Sequence, residues 1–399
     1  MAVAKIALST APGGLGDRAA ARGAGYRVEF LADWQQAAAR WGAFEPTTPF
    51  QHPQWCRAWY GAFADTSAIA PLIAVISDAA TAERVALLPL ILRRQNGIRI
   101  VEFADLGLTD YNAPVLGPAA PRDAMSARVL WRCMLAGLRA LRGGADLVRL
   151  TKMPVDLDGR SNPLALLDQA GPCSLNGNVV VTGDDYDAWR YQLDRTVRKE
   201  LERSWRVFTR EPEAAFRLAA DAEEALKILA TTEVQQGTRM ESLGLDFVLN
   251  EESCANFYRN LLRQGVGSGY ALASALACGD QIVATLLGIR TGARYVMIRI
   301  SNAGGKWSNC SPGRLVIERT MAALHKDGVR EFDFSIGNYA YKRRFGVTRT
   351  PLVDLTAASS WRGLPHVLHA RAARELRRYP KLAARLKRAV GRPASREET

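Results

Sequence analysis

The chain has 399 residues, a net charge of +13 and 48% hydrophobic residues, enough apolar material for two compact cores. Much of the charge is local: residues 361–399 contain eleven Arg and Lys against three Glu, a balance of +8 that leaves +5 for the other 360 residues. A nucleic-acid-binding surface along the whole chain is therefore not indicated, and no specific nucleic acid is expected as a partner. No run of sequence approaches the roughly 20 apolar residues that span a bilayer. The six cysteines are scattered singly, which is typical of reduced thiols in a soluble cytoplasmic protein.

The first half of the sequence predicts one domain behind a disordered leader. The leader, residues 1–28, is rich in Gly and Ala and lacks a clear pattern. Two helical patterns follow, and the second places Trp55, Trp59 and Phe63 on one face, which indicates core packing. The strand-like runs LIAVISD, RVALLPLILRR and IRIVEFAD come next, with the hairpin signal Asn96-Gly97. A loop, an amphipathic helix and the strand ADLVRLTKM complete a domain over residues 29–184.

The second half, residues 185–360, repeats this order of elements. Three helical patterns lead into a run that reads as three strands, joined at the turn signals Gly279-Asp280 and Thr291-Gly292. A helix, the strand REFDFSI, a short helix and a final strand follow. The predicted fold class is therefore α/β, with two similar domains, each a mixed and mainly antiparallel sheet flanked by helices. Residues 361–399 read as a basic amphipathic tail.

The helix after the third strand begins in the sequence NCSPGRL, which suits a phosphate group. Pro312 fits a first helical turn because it has no N–H to leave unpaired, and Gly313 lets a ligand approach the backbone. The free amides and the dipole of such a helix bind anions, and Arg314 would add a charged contact. The alternative is an ordinary helix start after a glycine-rich loop.

One helix and one strand later, FDFSIGNYAYKRRFG joins a strand to a basic aromatic turn. This stretch and the SPGRL helix entry resemble the CelD-type, FemAB-related branch of the GNAT acetyltransferases, whose members carry SPG-x-L and D-F-x-x-G-x-x-x-Y-K-R-x-F at these places. The stretches FQHPQWCRAWYGAF and TDYNAPVLGP are similar to the family's Trp-rich helix and Asp-Tyr loop. The resemblance spans roughly residues 30–358.

The resemblance implies two tandem GNAT-like domains, the first shaping the acceptor cleft and the second binding acyl-CoA as co-substrate, with no metal. Its cofactor-binding residues would be Ser311, Gly313, Arg314 and Leu315. Asp333 would be the base and Tyr341 the proton donor to the departing thiolate, with Lys342 beside them. The substrate-binding candidates are Asp110, Tyr111, Glu233 and Gly337. A structural pair of Asp333 with Lys342 or Arg343 is the alternative role for that carboxylate.

The sequence supports three hypotheses about function. The first is an acyl-CoA-dependent acyltransferase acting on an amine or hydroxyl of a small molecule or of a saccharide in an exopolysaccharide precursor. Because CSPGRL replaces the usual glycine-rich GNAT loop, a FemAB-like transfer from aminoacyl-tRNA to a cell-wall precursor is the second. The third is a scaffold without catalysis for exopolysaccharide synthesis. The basic tail either contacts the inner face of a membrane, as a peripheral anchor, or docks on its own domain.

Other chemistries fit the sequence poorly. Gly265, Gly267 and Gly269 precede a predicted strand, whereas a dinucleotide-binding loop opens a helix. His366 and His369 have no carboxylate or cysteine nearby in sequence to complete a zinc site, and Cys310 has no neighbouring His to activate it.

Overall fold

The computed structural model describes residues 21–22, 25–42, 48–64, 69–244, 249 and 251–377. The strands that precede the predicted domain boundary are β1 (Ala21–Arg22), β2 (Tyr26–Leu31), β3 (Ile69–Pro71), β4 (Ile73–Asp78), β5 (Arg84–Leu88), β6 (Leu90–Gln95), β7 (Ile98–Phe103), β8 (Val115–Leu116), β9 (Leu147–Pro154), β10 (Asp156–Leu157), β11 (Arg160–Ser161) and β12 (Ala170–Val181). The helices of this half are α1 (Trp34–Trp41), α2 (Pro53–Phe63) and α3 (Ala124–Ala140).

The second half follows the first in outline: helices, an antiparallel meander, a crossover helix and further strands. Its helices are α4 (Tyr186–Gln192), α5 (Arg195–Phe208), α6 (Ala222–Ser242), α7 (Glu252–Gly265), α8 (Pro312–Lys326), α9 (Ala340–Arg343) and α10 (Leu364–Arg377). Its strands are β13 (Ala214–Leu218), β14 (Ala271–Cys278), β15 (Gln281–Thr291), β16 (Arg294–Asn302), β17 (Glu331–Asp333) and β18 (Thr348–Ala358). The predicted mixed α/β fold class is confirmed.

The hairpins form where the turn residues predicted them. Asn96 and Gly97 both have positive φ (50° and 76°), as a tight two-residue hairpin turn between β6 and β7 requires. The turns at Gly279 and Gly292 likewise join β14 to β15 and β15 to β16 in antiparallel pairs. Trp55 and Trp59 of α2 are buried, and Trp55 meets Phe257 of α7 edge-on with ring centroids 4.9 Å apart. The aromatic face of α2 therefore packs between the two halves.

Within the described ranges, one eleven-stranded sheet runs through both halves in the order β13-β14-β15-β16-β17-β12-β18-β9-β7-β6-β3. The strand β12 precedes the predicted boundary at residue 184, yet it lies between β17 and β18 of the second half. The strand β18 in turn pairs with β9 of the first half. A smaller sheet, β1-β2-β4-β5-β8, packs with α3 in the first half.

In each half, two parallel neighbours separate after a short pairing. The strands β16 and β17 pair only from Arg294–Glu331 to Val296–Asp333, and beyond Val296 the strand β16 continues to Asn302 paired with β15 but not with β17. The strands β7 and β9 pair only at Ile100–Leu147 and Val101–Val148. A β-bulge in β16 follows the splay, since Gly288 lies opposite Met297 but Leu287 lies opposite Arg299. The splays create a gap between strand ends in both halves.

The prediction of a disordered leader over residues 1–28 is wrong for its last residues. Residues 1–20 of the predicted leader lie outside the described residues, but β1 and the beginning of β2 fall within its last residues. Val28 is fully buried in the core of the smaller sheet, so this segment belongs to the folded domain. Of the predicted tail, residues 361–377 are described and contain α10, while residues 378–399 lie outside the described range.

Candidate active site

A loop of the first half reaches the end of β17 and builds a buried polar cluster there. The Tyr111 hydroxyl donates to Asp333 Oδ1 at 2.8 Å, and the Ser335 N–H donates to the same oxygen at 2.6 Å. The Ser335 hydroxyl also donates to the Asp110 carboxylate. Three of the sequence-predicted residues, two from one half and one from the other, therefore meet where β16 and β17 begin to splay.

The loop that carries Asp110 and Tyr111 is held by Asp105. The Asp105 carboxylate accepts from the Gly107 and Thr109 backbone amides at 2.9 and 3.2 Å. Its other oxygen pairs with Lys152 Nζ at 2.7 Å. The loop therefore has a fixed conformation set by an acid that the sequence reasoning did not select.

The turn after β17 is equally constrained. Ser335 has a left-handed backbone, with φ of 65°, a conformation that is costly for a residue with a side chain. The Asn178 side-chain amide donates to the Ser335 and Gly337 carbonyls at 2.8 and 2.9 Å. Lys342 Nζ donates to the Ser335 and Ile336 carbonyls at 3.3 and 2.6 Å. Asn178 and Lys342 thus compensate the strained turn, and Gly337 contributes through its carbonyl.

Burial dominates the electrostatics of this cluster. Asp333 is 4% exposed, and burial raises the pKa of its carboxyl to about 7, although the bonds from Tyr111 and Ser335 oppose the rise. Burial also raises the pKa of Asp110. Lys342 is 3% exposed, and burial lowers the pKa of its ammonium to about 8, against the attraction of Asp110 and Asp333. Proton transfer near neutral pH is therefore open to Asp333 and Lys342.

The predicted ion pairs of Asp333 with Lys342 or Arg343 are not among its contacts. Its carboxylate is hydrogen-bonded to Tyr111 and Ser335, while Lys342 donates to main-chain carbonyls and Arg343 to the Asn338 side chain at 3.4 Å. Lys342 lies on α9, and its ammonium is used by the carbonyls of the turn that follows Asp333.

Tyr341 faces another direction from Lys342. It is half-buried against the core of the second half and stacks on Tyr339, with ring centroids 6.1 Å apart. Burial raises the pKa of its phenol to about 12, so the hydroxyl stays protonated at neutral pH. This state is the one a proton donor needs.

The beginning of α8 is an open helix terminus. Ser311 is the N-cap residue and has φ of 46°, but its side chain does not cap the helix. Pro312 has no N–H, and the Gly313 N–H has no hydrogen-bond partner among the described residues. A Cβ at Gly313 would lie 3.3 Å from the Asn302 side chain. The helix dipole and the free amide together favour an anion at this position.

Arg314 and Leu315, the two residues after Gly313, both make contacts within the protein. Arg314 pairs with Glu200 at 2.6 Å and donates to Ser311 Oγ at 2.9 Å. To meet a phosphate, Arg314 would exchange or share these partners. Leu315 is fully buried in the core of the second half, so its side chain serves packing and only its backbone remains near the helix start.

Glu233 lies outside the polar cluster. It is on α6 and lines a cavity of about 340 Å³ with residues of α7, including Glu252 and Arg259. Its Oε1 is buried without a hydrogen-bond partner. The structure therefore assigns Glu233 and the Asp110–Asp333 cluster to different surroundings.

The gap between β7 and β9 in the first half is also a cavity, of about 590 Å³. Salt bridges cross its wall, since Glu102 pairs with Arg93 at 2.7 Å and with Arg149 at 2.8 Å. These paired charges distinguish the gap between β7 and β9 from the gap between β16 and β17. In the latter, the chain leads from the end of β16 to the open terminus of α8.

Asp105, Asn178 and Ser335 were not among the site residues predicted from the sequence. Ser335 lies in the FDFSIG stretch. Its position at a turn, without being a glycine, was the one feature of the sequence that could have indicated its role. Asn178 lies in a strand that reads as a loop, and its partners are 157 and 159 residues away.

The comparisons with known proteins agree with this architecture. Residues 195–343 match the family model of the acetyltransferase (GNAT) domain. No curated protein sequence matches the chain. The chain is similar to the crystal structure of FemX, with a TM-score of 0.54 and 9% identity over 82% of this chain and 96% of that one.

Two further solved structures cover both halves. A conserved protein of unknown function from Bacteroides thetaiotaomicron VPI-5482 has a TM-score of 0.50 and 12% identity, over 83% of this chain and 99% of that one. A tandem GNAT protein from the clavulanic acid biosynthesis pathway has a TM-score of 0.47 and 12% identity, over 84% and 99%. At such identities the similarity concerns the fold alone. The match of residues 195–343 to the GNAT domain model and the mixed sheets flanked by helices agree with the predicted fold class.

Proposed function

We propose, from the acetyltransferase (GNAT) domain that the second half carries, that this protein transfers an acyl group from acyl-CoA to an amine or hydroxyl acceptor. One observation carries the proposal. The splay between β16 and β17 leads to the beginning of α8, where the Gly313 N–H is free among the described residues. A thioester in the gap would thus be near the Asp110–Asp333 cluster, with its pyrophosphate on the helix terminus.

The transfer needs a base for the acceptor proton and an acid for the leaving thiolate. A base must touch the acceptor, and Asp110 is partly exposed while Asp333 is buried and already accepts two hydrogen bonds. We therefore assign the base to Asp110 and a positioning role to Asp333, which holds Tyr111 and the Ser335 turn.

Tyr341 is the proposed acid. As the acceptor's N–H or O–H bond breaks, its proton passes to Asp110 and the new bond to the acyl carbon forms. The C–S bond then breaks, and the thiolate takes the proton of the Tyr341 hydroxyl, which no described residue engages in a hydrogen bond. Lys342 stabilises the turn between these groups through its bonds to two carbonyls.

Calorimetric titration of acetyl-CoA and longer acyl-CoAs into the full chain tests the donor. In Gly313→Trp, a bulky side chain would cover the free amide, so we expect binding to weaken by about tenfold or more, or about 1.4 kcal/mol. Gly61→Trp is the matched control, because Gly61 is an exposed glycine on α2 where a Cβ would have no other atom within 4 Å. Absence of binding by every acyl-CoA would overturn the proposal.

Transfer of an aminoacyl group from aminoacyl-tRNA to a cell-wall precursor is the second candidate function. The fold similarity to FemX suits it, as does the absence of the usual glycine-rich loop from NCSPGRL. It predicts that an RNA minihelix ending in CCA competes with any acyl-CoA at the α8 terminus. The scaffold reading predicts that Gly313→Trp leaves every activity of the protein unchanged.

For the acceptor, we propose a small molecule or the saccharide of an exopolysaccharide precursor, bound in a cleft between the halves. The loop with Asp110 and Tyr111 forms the first-half side of this cleft. Trial acceptors presented with acetyl-CoA, and followed by release of free thiol, would identify the class that is acylated.

We also propose that α10 lies on the inner face of a membrane. Val367 anchors the helix in a small core with Ile98, Ile100 and Leu147 of the first half. Trp361, Leu364 and Leu368 remain 78%, 51% and 63% exposed. The exposed Trp361, Leu364 and Leu368 lie next to exposed arginines. Such a combination is suited to the headgroup region of a membrane with anionic lipids. No helix among the described residues is both long and apolar enough to cross a bilayer.

The double variant Trp361→Ser/Leu368→Ser tests this contact. We expect it to reduce the affinity for vesicles containing anionic lipid, followed by co-sedimentation, by about a hundredfold or more, since burial of such side chains is worth about 1.5–3 kcal/mol each. Met125→Ser, which removes a 75% exposed side chain on α3, should leave sedimentation unchanged. Equal binding of all three proteins would contradict the proposal.

A further inference from the structure

The exposed face of α5 carries a row of positive charges that the stability of the helix does not explain. Arg195, Lys199 and Arg203 are spaced by four and exposed, while Val197, Leu201 and Phe208 on another face are buried. Like charges four residues apart on a helix repel and destabilise it. The row is therefore better explained by a ligand than by folding.

This row lies beside the beginning of α8. Arg203 Nη1 donates to the Asn309 carbonyl at 3.3 Å, two residues before Ser311. Glu200, on the same helix, pairs with both Arg314 and Arg344 at 2.6 Å. A shallow depression of about 410 Å³ is lined by Arg195, Thr196, Lys199, Glu200 and Arg203. The α5 row and the open terminus of α8 thus form one continuous basic surface.

The charges of this surface are unbalanced. Its cations are Arg195, Lys199, Arg203, Arg314 and Arg344. Among the described residues, Glu200 is the one acid that forms ion pairs with them, and Arg195 and Lys199 have no ion-pair partner there. Five cations against one carboxylate leave a net charge of +4. An anion with several charges is the complementary ligand.

We infer that Arg195, Lys199 and Arg203 bind the ribose 3′-phosphate of CoA, while the α8 terminus takes the pyrophosphate. The inference rests on the proposed function and adds a recognition site to it. The pyrophosphate carries about two negative charges and the 3′-phosphate monoester about 1.5 to 2 near neutral pH. Their sum matches the +4 of the surface. The row extends about 12 Å along α5 from Arg203, which is beside the α8 terminus. With the pyrophosphate at that terminus, the 3′-phosphate would lie along the row, within reach of Arg203, Lys199 and Arg195.

The test compares acetyl-CoA with 3′-dephospho-acetyl-CoA, which lacks only this phosphate, by calorimetry on the full chain. We expect the wild type to bind acetyl-CoA about tenfold more tightly than the dephospho form, as the loss of charge-assisted hydrogen bonds implies. The variant Arg195→Ala/Lys199→Ala should bind both compounds with the affinity that the wild type has for the dephospho form. Lys227→Ala, which removes an exposed lysine on α6, should keep the tenfold preference.

The outcomes separate this inference from the proposed function. Equal affinity of the wild type for the two compounds overturns the 3′-phosphate site but leaves acyl-CoA as the donor. Absence of binding by either compound overturns the donor and the site together. Binding of a CCA-ended RNA minihelix that Arg195→Ala/Lys199→Ala abolishes, without binding of acetyl-CoA, would assign the row to RNA and overturn the inference. A thermal melt of each variant confirms that loss of binding is not loss of fold, because these side chains are exposed.

Discussion

The wild type will lose unfolding free energy as the pH rises from about 4 to about 7, and Asp333→Asn will abolish the part of this loss that comes from Asp333. Burial raises the pKa of the folded Asp333 carboxyl to about 7, above its ordinary value of 3.8. Between these values the folded protein keeps the proton and the unfolded chain releases it. Stability therefore falls as pH rises through this window, by an amount on the order of a few kcal/mol.

Asparagine keeps the acceptor oxygen that Tyr111 and Ser335 use and cannot ionise. The difference in unfolding free energy between Asp333→Asn and the wild type should thus shift in favour of the variant as pH rises from 4.5 to 7.5. Urea denaturation at several pH values measures it, and titrating groups distant from Asp333 cancel in the difference. Asp187→Asn, at an exposed position on α4, is the control. A difference that does not change with pH would show that Asp333 ionises normally.

Gly177→Ala is expected to destabilise the protein by about 2–4 kcal/mol. A Cβ at this position of β12 would lie 2.5 Å from the Tyr111 hydroxyl and 3.1 Å from the Thr350 Cβ. Either β12 shifts between its two neighbours or Tyr111 leaves Asp333, and both cost free energy through overpacking or a lost buried hydrogen bond. Thermal or chemical denaturation gives the value.

A double-mutant cycle with Tyr111→Phe identifies the cause. Phenylalanine removes the hydroxyl that the new methyl group would strike, so Gly177→Ala should cost less in that background. Gly61→Ala, at a helical glycine where a Cβ would have no other atom within 4 Å, should change stability by less than about 0.5 kcal/mol or increase it. If the cost of Gly177→Ala is the same with and without the Tyr111 hydroxyl, this contact is not its source.

Local patterns predicted much of this fold because its turns and helix faces depend on neighbouring residues. The Asn96-Gly97 hairpin and the aromatic face of α2 follow from rules that act over a few positions. The strand β12 was missed for the same reason. Its sequence AGPCSLNGNVVV contains Gly, Pro and Asn, which favour loops, and its pairing with β18 is irregular between Pro172 and Asn176.

The candidate site was predicted residue by residue but not as an arrangement. Tyr111 and Asp333 were both selected, yet their hydrogen bond joins positions 222 residues apart, which no local pattern encodes. Leu315 was selected for its place in a motif, and the structure uses its side chain for packing. Gly177 has no side chain, and this absence admits the Tyr111 hydroxyl, a constraint visible only once β12 and the Tyr111 loop lie side by side in the folded protein.

The exchange of β12 and β18 between the halves has a consequence for how the protein is made. As the chain leaves the ribosome, β9 can pair with β7, but its other edge stays open until residues 348–358 emerge as β18. The strand β12 waits for both β17 and β18. The first half therefore cannot complete its sheet during its own synthesis, and its exposed strand edge is protected only when nearly all of the second half has been translated.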